Sequence, residues 1–310
     1  MTRQASTLTS PLEDERFAWL DTLASPLQSA LNNVFQANDA GRWAKRLLNG
    51  VPIRHRVHPA LVAVPIGAWT TALLLDALDA LSKDGDARGY RKSADAAVAL
   101  GVLSALPTAA SGLADWVDLY DHQRRVGTAH ALANTTALAL YSVSIGLRLS
   151  NSGRGAARVL SLLGYTAVAA GGVLGGEMVY GLGVNVSHLL YPRPPKEWTE
   201  TVAVEELSES TPVVVEVGRV PVMLLRRGET IIALQDWCPH AGGPLSKGEF
   251  TEDTVVCPWH QSCFSLHDGA PLDGPATTPA RTFEVREEGG MVWVRPSHEA
   301  QSWPPPPDAS

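Results

Sequence analysis

The sequence predicts a multidomain protein: a four-helix transmembrane bundle followed by an all-β domain that carries a metal-binding site. Three observations predict it. Four apolar stretches occupy the first two thirds of the chain, over residues 57–80, 94–114, 128–149 and 157–182. Short β-branched runs between turn residues fill the last third. Within that last third lie Cys238-Pro239-His240 and Cys257-Pro258-Trp259-His260, with 16 residues between them.

The apolar stretches come first. Each holds about 17–19 residues with almost no charge, close to the ~20 a helix needs to cross a bilayer. Ala, Gly, Ser and Thr are plentiful, as in Ala105-Leu106-Pro107-Thr108-Ala109-Ala110-Ser111-Gly112, and small residues let membrane helices approach closely. A soluble bundle would show a charged stripe every three or four positions, and residues 96–114 and 159–176 show none. Ahead of the spans, Leu20, Leu23, Leu27, Leu31, Val34 and Phe35 recur at helical spacing. They describe an amphipathic helix, either lying on the membrane surface or packed on another domain. Residues 1–20 include Glu13-Asp14-Glu15 and lack the order of a signal peptide. Lys and Arg around the loops favour a cytoplasmic N-terminus, by about nine against seven. Four spans return the C-terminus to that side, so the expected location is the cell membrane, multi-pass, with the β domain cytoplasmic.

The resulting domain plan is an N-terminal region over 1–54, the transmembrane domain over 55–190, a Pro-rich linker over 191–199, the β domain over 200–296 and a disordered tail over 297–310. Strand candidates are Val213–Val215, Val222–Leu225, Ile231–Leu234 and Val292–Val294. Net charge is −7, and residues 200–296 hold 15 Asp/Glu against 7 Lys/Arg. Nothing points to nucleic-acid binding. The chain has three cysteines, too few for a disulfide framework once two are metal ligands. No internal repeat is evident.

Two thiolates and two imidazoles at this spacing suit a [2Fe–2S] cluster with two Cys on one iron and two His on the other. A structural zinc site uses the same four donors, and the residues alone leave both open. The surrounding segments, WCPHAGGPLSKGEF and VVCPWHQSCFSLHDGAPLDGPA, resemble the Rieske ferredoxin family over Trp237 to Gly274. The resemblance implies a [2Fe–2S] cluster held by Cys238, His240, Cys257 and His260, and one-electron transfer. Respiratory Rieske proteins bridge their cluster loops with a disulfide; the corresponding positions here are Gly243 and Trp259. They also place Ser and Tyr hydroxyls on the cluster sulfurs. Ser262 matches the first and Phe264 replaces the second, which implies a potential in the lower part of the Rieske range of roughly −150 to +300 mV.

The helical part resembles an uncharacterised bacterial family of four-helix membrane domains. The matching residues are His58-Pro59, Pro65-Ile66-Gly67, Asp76, Ala110-x-Gly112-x-x-Asp115-Trp116 and Arg125-x-Gly127-x-x-His130-x-x-x-Asn134. In an alternating bundle, His58 and His130 begin parallel helices. They, with Asp115, Trp116, His122, Arg124, Arg125, His55 and His188, are expected at one membrane surface, whereas Asp76 and Asp79 lie near the other, solvated or structural. Ionisable groups near the bilayer mark candidate sites. His58 and His130 are candidates for haem b or a quinone, with Asp115 or Glu177 accepting protons, or are simple helix-end residues. His267 and His298 read as surface residues.

The expected function is membrane-anchored one-electron transfer to or from a redox partner protein, with membrane lipid as the other partner. The alternatives are a subunit of a membrane quinol- or haem-linked oxidoreductase, and a nonenzymatic redox sensor. An aromatic-ring dioxygenase would need a further mononuclear iron domain, and the sequence extends only about 50 residues past His260.

Overall fold

The computed structural model describes residues 9–82, 87–150, 153–190 and 192–297, so most of the expected tail lies outside the described residues. The chain divides into two units, one of residues up to 41 with 56–184, the other of 42–55 with 185 onward.

In the first unit, α1 (Trp19–Gln36) buries Leu20, Ala24 and Gln28, one face of a helix. Gln28 Nε2 donates to the carbonyls of Trp116 and Leu119. Asp21 accepts from Arg124 at 2.9 Å and Arg125 at 2.6 Å. Of the two expectations for this segment, packing is therefore realised; Leu23, Leu27 and Val34 remain exposed along the flank of the buried stripe. A further helix, α2 (Asp39–Asn49), leads out of this unit.

The long helices are α3 (Val57–Leu61) running through Val62 into α4 (Ala63–Leu81), α5 (Ala87–Trp116), α6 (Asp121–Leu149) and α7 (Arg154–Tyr180). Three segments are long and apolar enough to cross a membrane: Val57–Leu81, Gly89–Trp116 and Arg154–Tyr180. α6 is as long but carries His130, Asn134, Thr135, Thr136, Ser142 and Ser144. Among the described residues the span count by this measure is three, where the sequence suggests four; the polar residues of α6 dilute its hydropathy.

Polarity is distributed in reverse of a soluble bundle. Leu74, Leu100, Leu103, Val159, Leu162 and Val173 point outward, while Ser111, Ser144, Ser161, Asp76, Asp79 and Arg148 are buried. Water would penalise that arrangement and hydrocarbon favours it. Arg148 is wholly buried and grips Asp76, Asp95, Ser144 and Ser161. Asp79 pairs with Arg91, Arg154 and Arg158. The two aspartates are thus structural rather than solvated: each charge reaches a guanidinium on another helix, a partner that local sequence spacing does not reveal.

The two hairpins α3/α4–α5 and α6–α7 are built on one plan. Trp69 seats on Gly101, and Tyr141 on Gly164. The two rings stack at 4.3 Å, 3° from parallel. Towards one end His58 seats on Gly112 and His130 on Gly175; towards the other Asp76 meets Arg148. The spacings along each helix are the same in both hairpins: His58, Trp69 and Asp76 repeat as His130, Tyr141 and Arg148, and Gly101 and Gly112 as Gly164 and Gly175. The repeat is hidden in the sequence because its halves use complementary residues, Trp against Tyr and Asp against Arg.

In the second unit, a six-stranded antiparallel sheet has the order β1-β10-β9-β4-β3-β2. These are Thr199–Ala203, Met291–Pro296, Thr282–Glu288, Thr230–Gln235, Val220–Arg227 and Val213–Val217. A four-stranded sheet runs β5-β6-β7-β8, Glu249–Phe250, Thr254–Val256, Cys263–Ser265 and Pro271–Asp273. Gly289 and Gly290, at φ 62° and 81°, form the tight turn between β9 and β10. Strand β3 is buried on both faces. Val222 and Leu224 enter one core with Val215, Val217 and Val292; Met223 and Leu225 enter the other with Cys238, Cys257 and Phe264. All four strand candidates from the sequence fall in these strands. Residues 42–55 also belong to this unit, where Arg46 pairs with Asp273 at 3.4 Å.

Candidate metal centre

The Cys/His motifs fold into the same loop twice. Cys238 lies beyond the end of β4 and Cys257 directly after β6. The Cys238 N–H donates to Gly243 O at 2.8 Å, and the Cys257 N–H to Ser262 O at 2.8 Å. Four residues past each cysteine the chain turns through positive φ, at Gly242 (78°) and Gln261 (60°). The N–H of that residue returns to the cysteine carbonyl, at 2.8 Å and 3.1 Å. Each loop thereby curls its backbone amides around its own sulfur: those of His240 and Ala241 donate to Cys238, and those of Trp259 and His260 to Cys257.

The donors come in two pairs. Cys238 and Cys257 are each 1 % exposed and share one hydrophobic core. The His240 and His260 rings lie 4.7 Å apart, edge to face. The hydrogen bond with Cys238, aided by the amides of Trp259 and His260, holds the Cys257 thiol down to about 6. The same bond together with burial pushes Cys238 up. The two sulfurs share a hydrogen bond, and metal binding would release the proton in it.

Close packing fixes the loops. A Cβ at Gly243 would stand 3.0 Å from both Cys257 Sγ and the Trp259 ring. The two positions that respiratory Rieske proteins bridge by disulfide therefore face each other here, with an indole over a glycine. Gly274, at φ 83°, brings the chain within 2.5 Å of Ser262 Cα, measured from where a Cβ would sit. Beyond it the Ala276 N–H donates to Ser262 Oγ at 3.1 Å. Ser262 is fully buried and keeps its own O–H to donate. Phe264, also fully buried, has no donor in the same core.

Sequence reasoning missed what lies on the first loop. The His188 N–H donates to Pro239 O at 3.1 Å, between the two candidate ligands. Arg281 holds the next residue, donating to Leu189 O at 2.6 Å and to Gln235 Oε1 at 2.8 Å. A backbone contact of this kind leaves no signal in residue type. Cys263 lies on β7 outside the loops, partly buried, and burial pushes its thiol up. His267 is 69 % exposed and meets Asp253 at 2.7 Å; His298 lies outside the described residues.

The other candidates are in the helical unit, except His55 and His188, which belong to the β unit. His58 and His130 come together with ring centroids 6.2 Å apart. Asp115 is taken by Arg56 at 3.0 Å, Arg124 and Arg125 by Asp21, and His122 approaches Glu13 at 3.8 Å. Glu177 folds towards Gly181 at the end of α7.

Residues 197–284 match the family model of the Rieske [2Fe-2S] domain, and residues 54–188 that of a predicted membrane protein family, DUF2231. The anthranilate 1,2-dioxygenase ferredoxin subunit of Burkholderia cepacia is 34% identical over 98 residues, 32% of this chain and 91% of that one. The chain belongs to the Rieske [2Fe–2S] family. The ferredoxin CarAc of Metapseudomonas resinovorans is 33% identical over 98 residues, 31% of this chain and 92% of that one. Among solved structures, the ferredoxin of carbazole 1,9a-dioxygenase from Nocardioides aromaticivorans IC177 is 28% identical, covering 32% of this chain and 98% of that one, at a TM-score of 0.31.

A Rieske domain carries a [2Fe–2S] cluster, and the residues present fit one. Thiol faces thiol and imidazole faces imidazole, two donors for each of two irons. Phe264→Tyr is expected to raise the potential, on the order of 50 mV, by adding one hydrogen-bond donor that favours the more negative reduced cluster. A redox titration checks it; a lower or unchanged potential would show that the Tyr hydroxyl does not reach a sulfur.

Proposed function

We propose that the protein is a membrane-anchored one-electron carrier, with a [2Fe–2S] cluster held by Cys238 and Cys257 on one iron and by His240 and His260 on the other. The observation that carries this reading is the duplicated loop. Each copy presents one buried sulfur wrapped in amide donors and one imidazole, and the two copies put like donors beside like. The amide donors stabilise the reduced, more negative state, and the neutral imidazoles lower the charge of the oxidised one. Trp259, 53 % exposed, stands beside His260 with ring centroids 6.4 Å apart. It marks the face where a redox partner protein approaches. Two irons and two labile sulfides per chain are expected, and His260→Cys lowers the potential because a thiolate replaces a neutral ligand. One zinc per colourless chain would overturn the assignment.

The helical unit is the anchor. We infer four spans, counting α6, whose 29 residues match its neighbours in length and whose Val143 is exposed like their outer residues. Both termini then share the cytoplasmic side, as the positive residues suggest. Reporter fusions after residue 40 and after residue 300 are expected to give the same cytoplasmic signal. Opposite signals would mean an odd number of spans, and matching periplasmic signals would reverse the orientation.

A further inference from the structure

The point where the two helical hairpins bring His58 and His130 together has a construction of its own. Each imidazole lies on a glycine of the other helix in its hairpin. A Cβ at Gly112 would stand 2.8 Å from His58 Cε1, and one at Gly175 would stand 3.0 Å from His130 Cε1. Each Nδ1 bonds a backbone carbonyl one turn before that glycine: His58 to Thr108 O at 2.9 Å, His130 to Gly171 O at 2.8 Å. A carbonyl only accepts, so both rings carry their proton on Nδ1 and keep the Nε2 lone pair. Asn134 does not take the lone pair of His130. Its Nδ2 is 3.5 Å from Nδ1 and 3.3 Å from Nε2, nearly equidistant, which places it over the ring rather than in the plane of the lone pair.

Nδ1–H donated to a backbone carbonyl with Nε2 left over is how proteins fix a histidine that ligates a metal. Two imidazoles on opposite sides of one metal ion, each about 2.0–2.1 Å from it, put their ring centres roughly 6 Å apart, against about 5 Å at a tetrahedral angle. The rings here are 6.2 Å apart and 81° from parallel. A quinone carbonyl needs a donor, and neither neutral ring has one left at Nε2.

We propose that His58 and His130 bind one imidazole-ligating transition metal between them through Nε2, one ligand from each hairpin of the internal repeat. Haem iron, whose macrocycle fills the remaining positions, and a bare ion share that chemistry. The proposal stands on the helical unit alone and is independent of the cluster, whose iron and sulfide are counted separately.

The test uses the full chain, expressed with added haem precursor, purified in detergent and analysed for metals, labile sulfide and visible absorbance. The expected result is one metal per chain beyond the two cluster irons, lost in His58→Ala and in His130→Ala while sulfide stays at two. A haem-type absorbance lost with it identifies haem iron; a third metal without that absorbance identifies a bare ion. His58→Met, which keeps a ligating atom, is expected to retain the metal, and with haem to raise its potential. Gly112→Ala is expected to reduce occupancy by displacing the ring. Wild-type protein with an intact cluster and no third metal overturns the proposal, as does a third metal that both alanine variants retain. Quinol-dependent reduction of the cluster with no third metal also overturns it.

Discussion

Cys257→Ser is expected to abolish the visible absorbance of the [2Fe–2S] centre and to loosen the small sheet. Two reasons make the effect large. A hard hydroxyl replaces the thiolate the iron selects, and the free energy of metal binding is folding free energy for the loops that hold it. Cys257 is wholly inside the core that Met223, Leu225, Phe264 and Leu266 share. Its backbone also closes the second loop through Ser262 and Gln261. Iron and sulfide are expected to fall to background, with protease sensitivity appearing across residues 254–273. Cys263→Ser serves as the control. That thiol stands on β7 beside Asp273 rather than in a loop, so full metal content is expected. Iron loss in Cys263→Ser, or retention in Cys257→Ser, would move the centre elsewhere.

Arg148→Ala is expected to produce the largest destabilisation of the helical unit. The guanidinium is fully buried and is the common partner of Asp76 and Asp95 and of two serine hydroxyls. Removing one member of a buried ion pair leaves an uncompensated charge and costs about 3–5 kcal/mol. Asp76 is then left with Arg158 alone, at 3.6 Å, and in hydrocarbon has no water to make up the loss. Removing both charges is a different experiment, because apolar residues of similar volume often replace a buried pair without loss. Thermal unfolding in detergent should therefore show a large drop for Arg148→Ala, a similar drop for Asp76→Ala, and partial recovery in Asp76→Leu/Arg148→Leu. Additive losses in the double variant would mean that the two side chains do not act as a pair.

The parts legible in the sequence were those encoded by short-range spacing. Cys-x-His and Cys-x-x-His announce metal loops because ligands on a tight turn must be close in sequence. The strands showed as β-branched runs, and the helices as apolar stretches. What escaped notice depends on contacts across the fold. Asp76 and Asp79 look like helix-end residues until Arg148 and Arg158 arrive from other helices. α6 is the least apolar of the long helices because it carries polar side chains on both faces: Tyr141 and Ser144 are buried, and Thr135, Thr136 and Ser142 are exposed. The contact of His188 with the first loop is made by its backbone, which every residue has.

Residues 42–55 belong to the β unit although the helices of the other unit follow them in the chain. The ribosome therefore delivers a first fragment of the cluster-bearing unit well before the rest. Arg46 emerges long before Asp273, its ion-pair partner, and the membrane segments are made in between. Since domains generally fold as they are synthesised, this one must wait, its early fragment held unfinished while the spans insert. Cluster loading is then expected to follow the synthesis of the helical unit in time. A truncation beginning at residue 185 would lack the early fragment and leave Asp273 without its arginine.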